Sequence, residues 1–93
     1  MKCVVIFSDA CPHCQRLKNE LSKHGIACHF INLREKRPDE VMKEYPLYID
    51  CTPQGCGVPV PQVLVFDGDG RLIFRKIGAS PDVVEMIKKL LRR

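Results

Sequence analysis

Two cysteines lie two residues apart near the start of the chain, Cys11 and Cys14 in the segment FSDACPHCQRL. A pair with this spacing can bind a metal ion, form a structural disulfide or exchange electrons with another disulfide. The chain has six cysteines in all, at positions 3, 11, 14, 28, 51 and 56. Which of the three chemistries applies depends on the helices and strands that carry these cysteines.

The first pair lies at a predicted junction between a strand and a helix. Residues 3–8, CVVIFS, form a continuous apolar run that is typical of a strand buried on both faces. Pro12 suits the first turn of a helix, where its missing N–H would have no partner in any case, and Gly25 suits the end of one. A helix is therefore predicted over residues 12–24, with an apolar side formed by Cys14, Leu17 and Leu21.

The two cysteines are predicted to differ in reactivity. Cys11 takes the N-cap position, where unpaired N–H groups and the positive end of the helix dipole stabilise a thiolate, so it is the expected nucleophile. Cys14 faces the core and is expected to resolve the mixed disulfide that forms on Cys11. Three neighbours are candidate tuning residues: Pro12 stiffens the turn, a protonated His13 favours the thiolate, and the Asp9 carboxylate disfavours it.

The rest of the pattern predicts an α/β fold. In chain order we expect a second strand over residues 26–33, parallel to the first, and then a helix over 38–45. A structured loop follows over 46–61, and then a hairpin of 62–66 and 71–74 around the turn DGDG. The last helix is expected to start at Pro81, with Ser80 as its N-cap. The order β-α-β-α-β-β-α predicts a single domain over residues 1–93, with a four-stranded mixed sheet flanked by helices.

Composition narrows the classes of function. A chain of 93 residues with 45% hydrophobic content suffices for one core. It contains no run of 18 apolar residues and no signal-peptide pattern at its N-terminus, so we expect a cytosolic protein without a membrane partner. Much of the +4 net charge lies in the C-terminal KKLLRR, where cations complement a helix end. The last third of the chain has only Phe66 and Phe74 as aromatic residues, so nucleic-acid binding is not expected.

This order of elements, with CPHC at the start of the first helix, resembles the thioredoxin superfamily, and the short chain that begins with its first strand is most similar to a glutaredoxin. VPQVLVF resembles the glutaredoxin segment in which a cis-proline precedes a strand, and IGAS resembles the turn before the last helix. The resemblance implies a cis bond between Val60 and Pro61. It also implies that glutathione or a peptide-like substrate binds at Val60, Pro61, Ser80 and Asp82.

The sequence departs from the glutaredoxin pattern at several of these positions. Glutaredoxins usually carry a lysine before the active-site cysteine, a threonine two residues before the cis-proline and paired acids after the glycine turn. Here Asp9 and Ala10 precede Cys11, Pro59 replaces the threonine, and only Asp82 remains of the acids. The CPHC motif itself is similar to that of the periplasmic disulfide-oxidising family. Positive charge for one carboxylate of glutathione is therefore expected to be missing.

The other four cysteines are predicted to have separate roles. Cys3 and Cys28 are expected to be small core residues on strands. Cys51 and Cys56 are separated by four residues that include a proline and a glycine, which permit the turn that a disulfide needs. A second redox pair, a structural bridge, free thiols and metal ligands all stay open for these two.

The sequence predicts a monomeric thiol–disulfide oxidoreductase that works through Cys11 and Cys14. We expect it to act on disulfide-containing proteins or glutathione mixed disulfides, without a bound cofactor or metal and with glutathione as co-substrate. One alternative is a small thioredoxin recharged by a flavoprotein thioredoxin reductase. Another is a metal-binding or redox-sensing module whose ligands are Cys11, Cys14, Cys51 and Cys56.

Overall fold

The helices and strands follow the predicted order with one addition. A computed structural model describes residues 1–78 and 80–91. In chain order the elements are β1 (Lys2–Phe7), α1 (Pro12–Lys23), β2 (His29–Asn32), α2 (Pro38–Met42), β3 (Asp50–Thr52), β4 (Gly55–Gly57), β5 (Gln62–Phe66), β6 (Leu72–Ile77) and α3 (Pro81–Leu91). Ala79 of the predicted turn and the last two arginines of the basic C-terminus lie outside the described residues.

The main sheet has four strands in the order β2-β1-β5-β6. Strand β1 pairs with β2 in parallel and with β5 in antiparallel orientation, and β5 pairs with β6 in antiparallel orientation. The predicted four-stranded mixed sheet is therefore confirmed. The two inner strands carry the apolar runs: residues 3–6 of β1 and all five residues of β5 are buried. Strands covered on both faces need such runs, which is why both were visible in the sequence.

Helices cover both faces of this sheet. On one face, Val5 packs with Leu17 and Leu21 of α1 and with Val83 and Ile87 of α3. The other face is covered by α2 and by the loop after it, in a second cluster that includes Val4, Ile6, Ile31, Val41, Leu47 and Leu64. Because successive strand residues point to opposite faces, Val4 and Val5 belong to different clusters.

Helix α1 has nearly the predicted bounds. It starts at Pro12 and ends at Lys23, one residue before the predicted end. Gly25 follows with a φ of 69°, a left-handed conformation that glycine adopts without steric cost. Its N–H donates to the carbonyl of Ser22 at 3.0 Å and so satisfies one of the last helical carbonyls.

Two elements are shorter than predicted. Strand β2 covers residues 29–32 rather than 26–33, because Ile26 instead donates its N–H to the carbonyl of Leu21 at the end of α1. Helix α2 ends at Met42 rather than at residue 45. None of the helices described for residues 1–78 and 80–91 is both long and apolar enough to cross a membrane.

The loop predicted over residues 46–61 contains a second, two-stranded sheet. Strands β3 and β4 form an antiparallel hairpin in which Cys51 lies opposite Cys56. The density of prolines and glycines predicts no regular element here, and that prediction is wrong. Pro53 lies in the turn, while Pro46 and Pro59 lie outside the paired residues, so none of them removes a hydrogen bond of the ladder.

A disulfide joins Cys3 to Cys28, a bond that the prediction of two small core residues on strands did not include. Cys3 is buried on β1, as predicted. The parallel register pairs Val4 with His29, so one step back brings Cys3 opposite Cys28, with 4.7 Å between their α-carbons. Side chains at opposite positions of neighbouring strands point to the same face. Cys28 itself lies just before β2 rather than on it.

Candidate active site

Cys11 occupies the N-cap of α1, as predicted. Its backbone is extended, with φ −100° and ψ 112°, and its Sγ accepts a hydrogen bond from the N–H of Cys14 at 3.3 Å. Its own N–H donates to the carbonyl of Ser8 at 3.0 Å, which fixes the turn after β1. The Cys11 residue is half-exposed, so its sulfur can be reached by an incoming disulfide.

Cys14 is buried on the core side of the same turn. Only 2% of its surface is exposed, and it shares the apolar side of α1 with Leu17 and Leu21, as predicted. The pKa of the Cys14 thiol is raised from 9.0 to about 12. Burial is the largest cause, a hydrogen bond with the Cys11 sulfur and the charge of Cys11 also raise it, and a hydrogen bond with the backbone of Ser8 opposes them. In the resting dithiol, Cys14 therefore stays protonated.

The raised pKa predicts a large difference in alkylation. Three pKa units, from 9.0 to about 12, lower the thiolate fraction of Cys14 about a thousandfold below that of an ordinary cysteine at pH 8. Iodoacetamide should therefore modify Cys11 and leave Cys14 intact, as peptide mass spectrometry would show. The same protein unfolded in guanidinium provides the control, in which both residues should react. Equal labelling of the two in the folded protein would contradict this assignment.

The segment around Pro61 lies against Cys11. The Val60–Pro61 peptide bond is cis, as the resemblance implied. The Cys11 thiol donates to the carbonyl of Val60 with a sulfur–oxygen distance of 3.9 Å. The carbonyl of Pro61 accepts the N–H of Gly78 at 2.9 Å, so the turn before α3 is tied to the same segment. The start of α1 and the cis-proline segment therefore meet at the sulfur, and the turn before α3 is bonded to the cis-proline segment.

Ser80 and Asp82 lie at the start of α3, on the other side of that turn. A hydrogen bond from the Ser80 side chain, followed by the backbone N–H of Asp82 and the charge of Lys76, holds the pKa of the Asp82 carboxyl below its usual value. Ser80 also lines a cleft of about 400 Å³ between α1 and α3, together with Arg16 of α1. Arg16 and Lys76 are cations that the comparison with the glutaredoxin pattern overlooked.

The proposed tuning residues differ in what they contact. The Asp9 carboxylate accepts a hydrogen bond from Asn32 Nδ2 at 2.7 Å, and Asn32 Oδ1 of the same side chain accepts the N–H of Arg34 at 3.0 Å. This contact ties the turn before Cys11 to the end of β2, and no local pattern in the sequence indicates it. His13, next to Pro12, lies exposed on the first turn of α1.

Gln62 is a second residue that the sequence analysis missed. It is fully buried directly after Pro61, and its side chain binds both backbone groups of Tyr48. The Tyr48 N–H donates to Gln62 Oε1 at 2.8 Å, and Gln62 Nε2 donates to the Tyr48 carbonyl at 3.3 Å. A polar residue at the start of the apolar strand QVLVF was the available signal.

Cys51 and Cys56 are bonded to each other. They are therefore not available as thiolate ligands, which removes the four-cysteine metal site with Cys11 and Cys14. Among the residues that the structure describes, no group of three or more histidine, cysteine and acidic side chains is placed to hold a metal ion.

The sheet, the N-capping cysteine and the adjacent cis-proline define a thiol–disulfide oxidoreductase of the thioredoxin superfamily. A family model described as glutaredoxin matches residues 3–73, and the chain belongs to the glutaredoxin family. Among solved structures, a thioredoxin from Malassezia sympodialis, described as a member of a pan-allergen family, is similar with a TM-score of 0.67. It is 13% identical, over 95% of this chain and 71% of that one, so the likeness shows the fold alone. No curated protein matches the chain significantly.

Proposed function

We propose that the protein reduces disulfides through a dithiol cycle in which Cys11 attacks and Cys14 resolves. The observation that supports this most directly is the contrast between the two sulfurs, one half-exposed at a helix N-cap and the other buried one turn later. A nucleophile must reach an incoming disulfide, whereas a resolving thiol needs to reach only the sulfur of Cys11.

The cycle balances in two steps. The Cys11 thiolate attacks one sulfur of the substrate disulfide, a mixed disulfide forms, and the other substrate sulfur leaves as a thiolate that takes up a proton. Cys14 then loses its proton and attacks the Cys11 sulfur, which releases the second substrate thiol and leaves a Cys11–Cys14 disulfide. In the mixed disulfide, Cys11 carries no charge. The contribution of the Cys11 charge to the raised pKa of Cys14 is therefore absent at this step, which favours deprotonation of Cys14.

We propose that substrates are recognised in an active-site groove beside Cys11, formed by Val60, Pro61 and the start of α3. The backbone of Val60 can pair with a peptide-like substrate, and the start of α3, with Ser80, can bind a carboxylate. Arg16 lines the cleft with Ser80, and the charge of Lys76 acts on Asp82. These two cations are proposed to supply the positive charge that glutathione's second carboxylate requires, although Glu20 and Glu85 line the same cleft. These contacts support glutathione as the co-substrate that restores the dithiol. No bound cofactor is part of this proposal.

The source of electrons is the testable part of this function. We expect two glutathione molecules to reduce the Cys11–Cys14 disulfide, with one oxidised glutathione formed per cycle. The measurement compares recharging by glutathione with glutathione reductase against recharging by a thioredoxin reductase, on the same glutathionylated peptide. Faster turnover with glutathione is the expected result. Turnover only with thioredoxin reductase would instead favour the small thioredoxin. Pro59, which replaces the usual glutaredoxin threonine, is the departure from the family pattern that would fit this result.

The cytosolic location expected from the sequence stays a prediction. The Cys3–Cys28 disulfide is an observation against it, because thiol buffers keep most cytosolic cysteines reduced outside hyperthermophiles. The test is the oxidation state of Cys3 and Cys28 in protein taken directly from its source cells and alkylated before lysis. Two thiols would support the cytosolic location, and a disulfide would argue against it.

A further inference from the structure

The hairpin of β3 and β4 has almost nothing but its disulfide to hold it together. All six residues of the two strands are exposed, so the hairpin buries no apolar side chain of its own. Apart from its ladder, Thr52 contributes hydrogen bonds to the carbonyl of Gly55 at 3.2 Å and from the N–H of Gln54 at 3.3 Å. An isolated two-stranded hairpin is at best marginally stable in water. Its order therefore depends on the bond between Cys51 and Cys56.

The same bond is open to attack from solvent. Both Cys51 and Cys56 are exposed, whereas Cys3 of the other disulfide is only 4% exposed and lies in the core cluster. Thiol–disulfide exchange requires that a thiolate reach a sulfur along the S–S axis, so access determines which disulfide reacts. Cys28, the partner of Cys3, is half-buried. The chain thus contains one disulfide with both residues exposed and one with a buried and a half-buried residue, and the two can be compared directly.

Both ends of the hairpin are fixed to the active-site groove. At its entry, the backbone of Tyr48 is bound by Gln62, the residue directly after Pro61. At its exit, two residues separate Gly57 from Val60, so the three steps between their α-carbons span at most about 11 Å. The carbonyl of Val60 accepts from the Cys11 thiol. A change in hairpin order is therefore transmitted to the chain beside the nucleophile.

The hairpin also offers a surface for a large substrate rather than a small one. Tyr48 and Ile49, at its base, are 42% and 37% exposed. Asp50 is the only charged residue in the sequence between positions 46 and 66. An exposed, nearly uncharged surface beside a groove is suited to contact with a polypeptide.

We propose that Cys51–Cys56 is a second thiol–disulfide exchange site, which low-molecular-weight thiols open and which controls how the groove accepts protein substrates. A thiolate attacks one hairpin sulfur, the other leaves as a thiolate and takes up a proton, and a second thiol resolves the mixed disulfide. Two thiols thereby become one disulfide, and the hairpin becomes a dithiol. Opening frees residues 50–57 and loosens residues 58–60 beside Cys11. The effect on turnover rests on the oxidoreductase activity proposed above, but the exchange itself does not.

The exchange is tested by the order in which the disulfides open. Oxidised protein is incubated with increasing reduced glutathione, quenched with N-ethylmaleimide and analysed by peptide mass spectrometry. The Cys51–Cys56 disulfide should open at least about tenfold faster than the Cys3–Cys28 disulfide, as judged by the N-ethylmaleimide label on each pair. Oxidised glutathione should close the hairpin disulfide again. Labelling of Cys3 and Cys28 first, or at the same rate, would overturn the proposal.

The effect on substrates is tested with a Cys51→Ser, Cys56→Ser double variant. Its KM for a protein disulfide should change at least about threefold, while its kinetics with a small glutathionylated peptide stay within about twofold of wild type. Thr52→Ala keeps the disulfide and serves as the matched control, which should behave as wild type. Equal behaviour of double variant and wild type on both substrates would overturn the control of substrate access. If wild type itself reduces neither substrate, the proposed function fails, and the labelling order still decides the exchange site.

Discussion

The Cys11→Ser variant should lose disulfide-reductase activity by at least about three orders of magnitude, because its hydroxyl cannot replace a thiolate as nucleophile. Cys11 is the half-exposed sulfur of the pair, and Cys14 has no path to an external disulfide. The measurement is the steady-state rate with a glutathionylated peptide and with a protein disulfide. Both rates should fall together, since both substrates react at the same sulfur.

The matched variant is Cys14→Ser, which removes only the resolving thiol. It should still form a mixed disulfide with an incoming substrate, and it should accumulate that species because nothing within the protein resolves it. Intact-mass spectrometry would detect the adduct. An adduct on Cys14 in the Cys11→Ser variant, formed at a similar rate, would reverse the two assignments.

A Gln62→Ala substitution should lower the free energy of unfolding by about 2–4 kcal/mol, because it leaves the Tyr48 N–H and carbonyl without their partner and removes a fully buried side chain. This is a large fraction of the roughly 5–15 kcal/mol that stabilises a typical domain. Urea unfolding, with the disulfides intact, would measure the shift in midpoint.

Gln54→Ala provides the control for this loss. Gln54 is an exposed glutamine in the hairpin turn, and its substitution should change the midpoint little. Similar destabilisation by the two variants would show that the bonds between Gln62 and Tyr48 contribute nothing measurable.

The local features of the active site could be predicted from the sequence because they depend on few neighbouring residues. A buried strand, a proline at the first helical position and cysteines one turn apart are all read within residues 3–25. The cis bond before Pro61 came from the resemblance rather than from the residues themselves. Both predictions agree with the structure.

The contacts between distant segments could not be predicted in this way. The Cys3–Cys28 bond depends on the register between β1 and β2, and a shift of one residue would have pointed the two side chains to opposite faces. The hairpin strands have three residues each, too few to show an alternating pattern. The partner of Gln62 is set by the path of the loop, which apolar periodicity does not report.

The disulfide between Cys3 and Cys28 closes residues 3–28 into a covalent ring. The ring contains most of β1, all of α1 and both active-site cysteines. The segment that follows α1 is thus joined covalently to the start of β1, at the end of that strand opposite to Cys11. This link holds α1 beside the sheet even if the side chains between them no longer pack. A protease that cuts the exposed chain around residues 22–25 would leave its two fragments joined, and they would separate only after the Cys3–Cys28 bond is reduced.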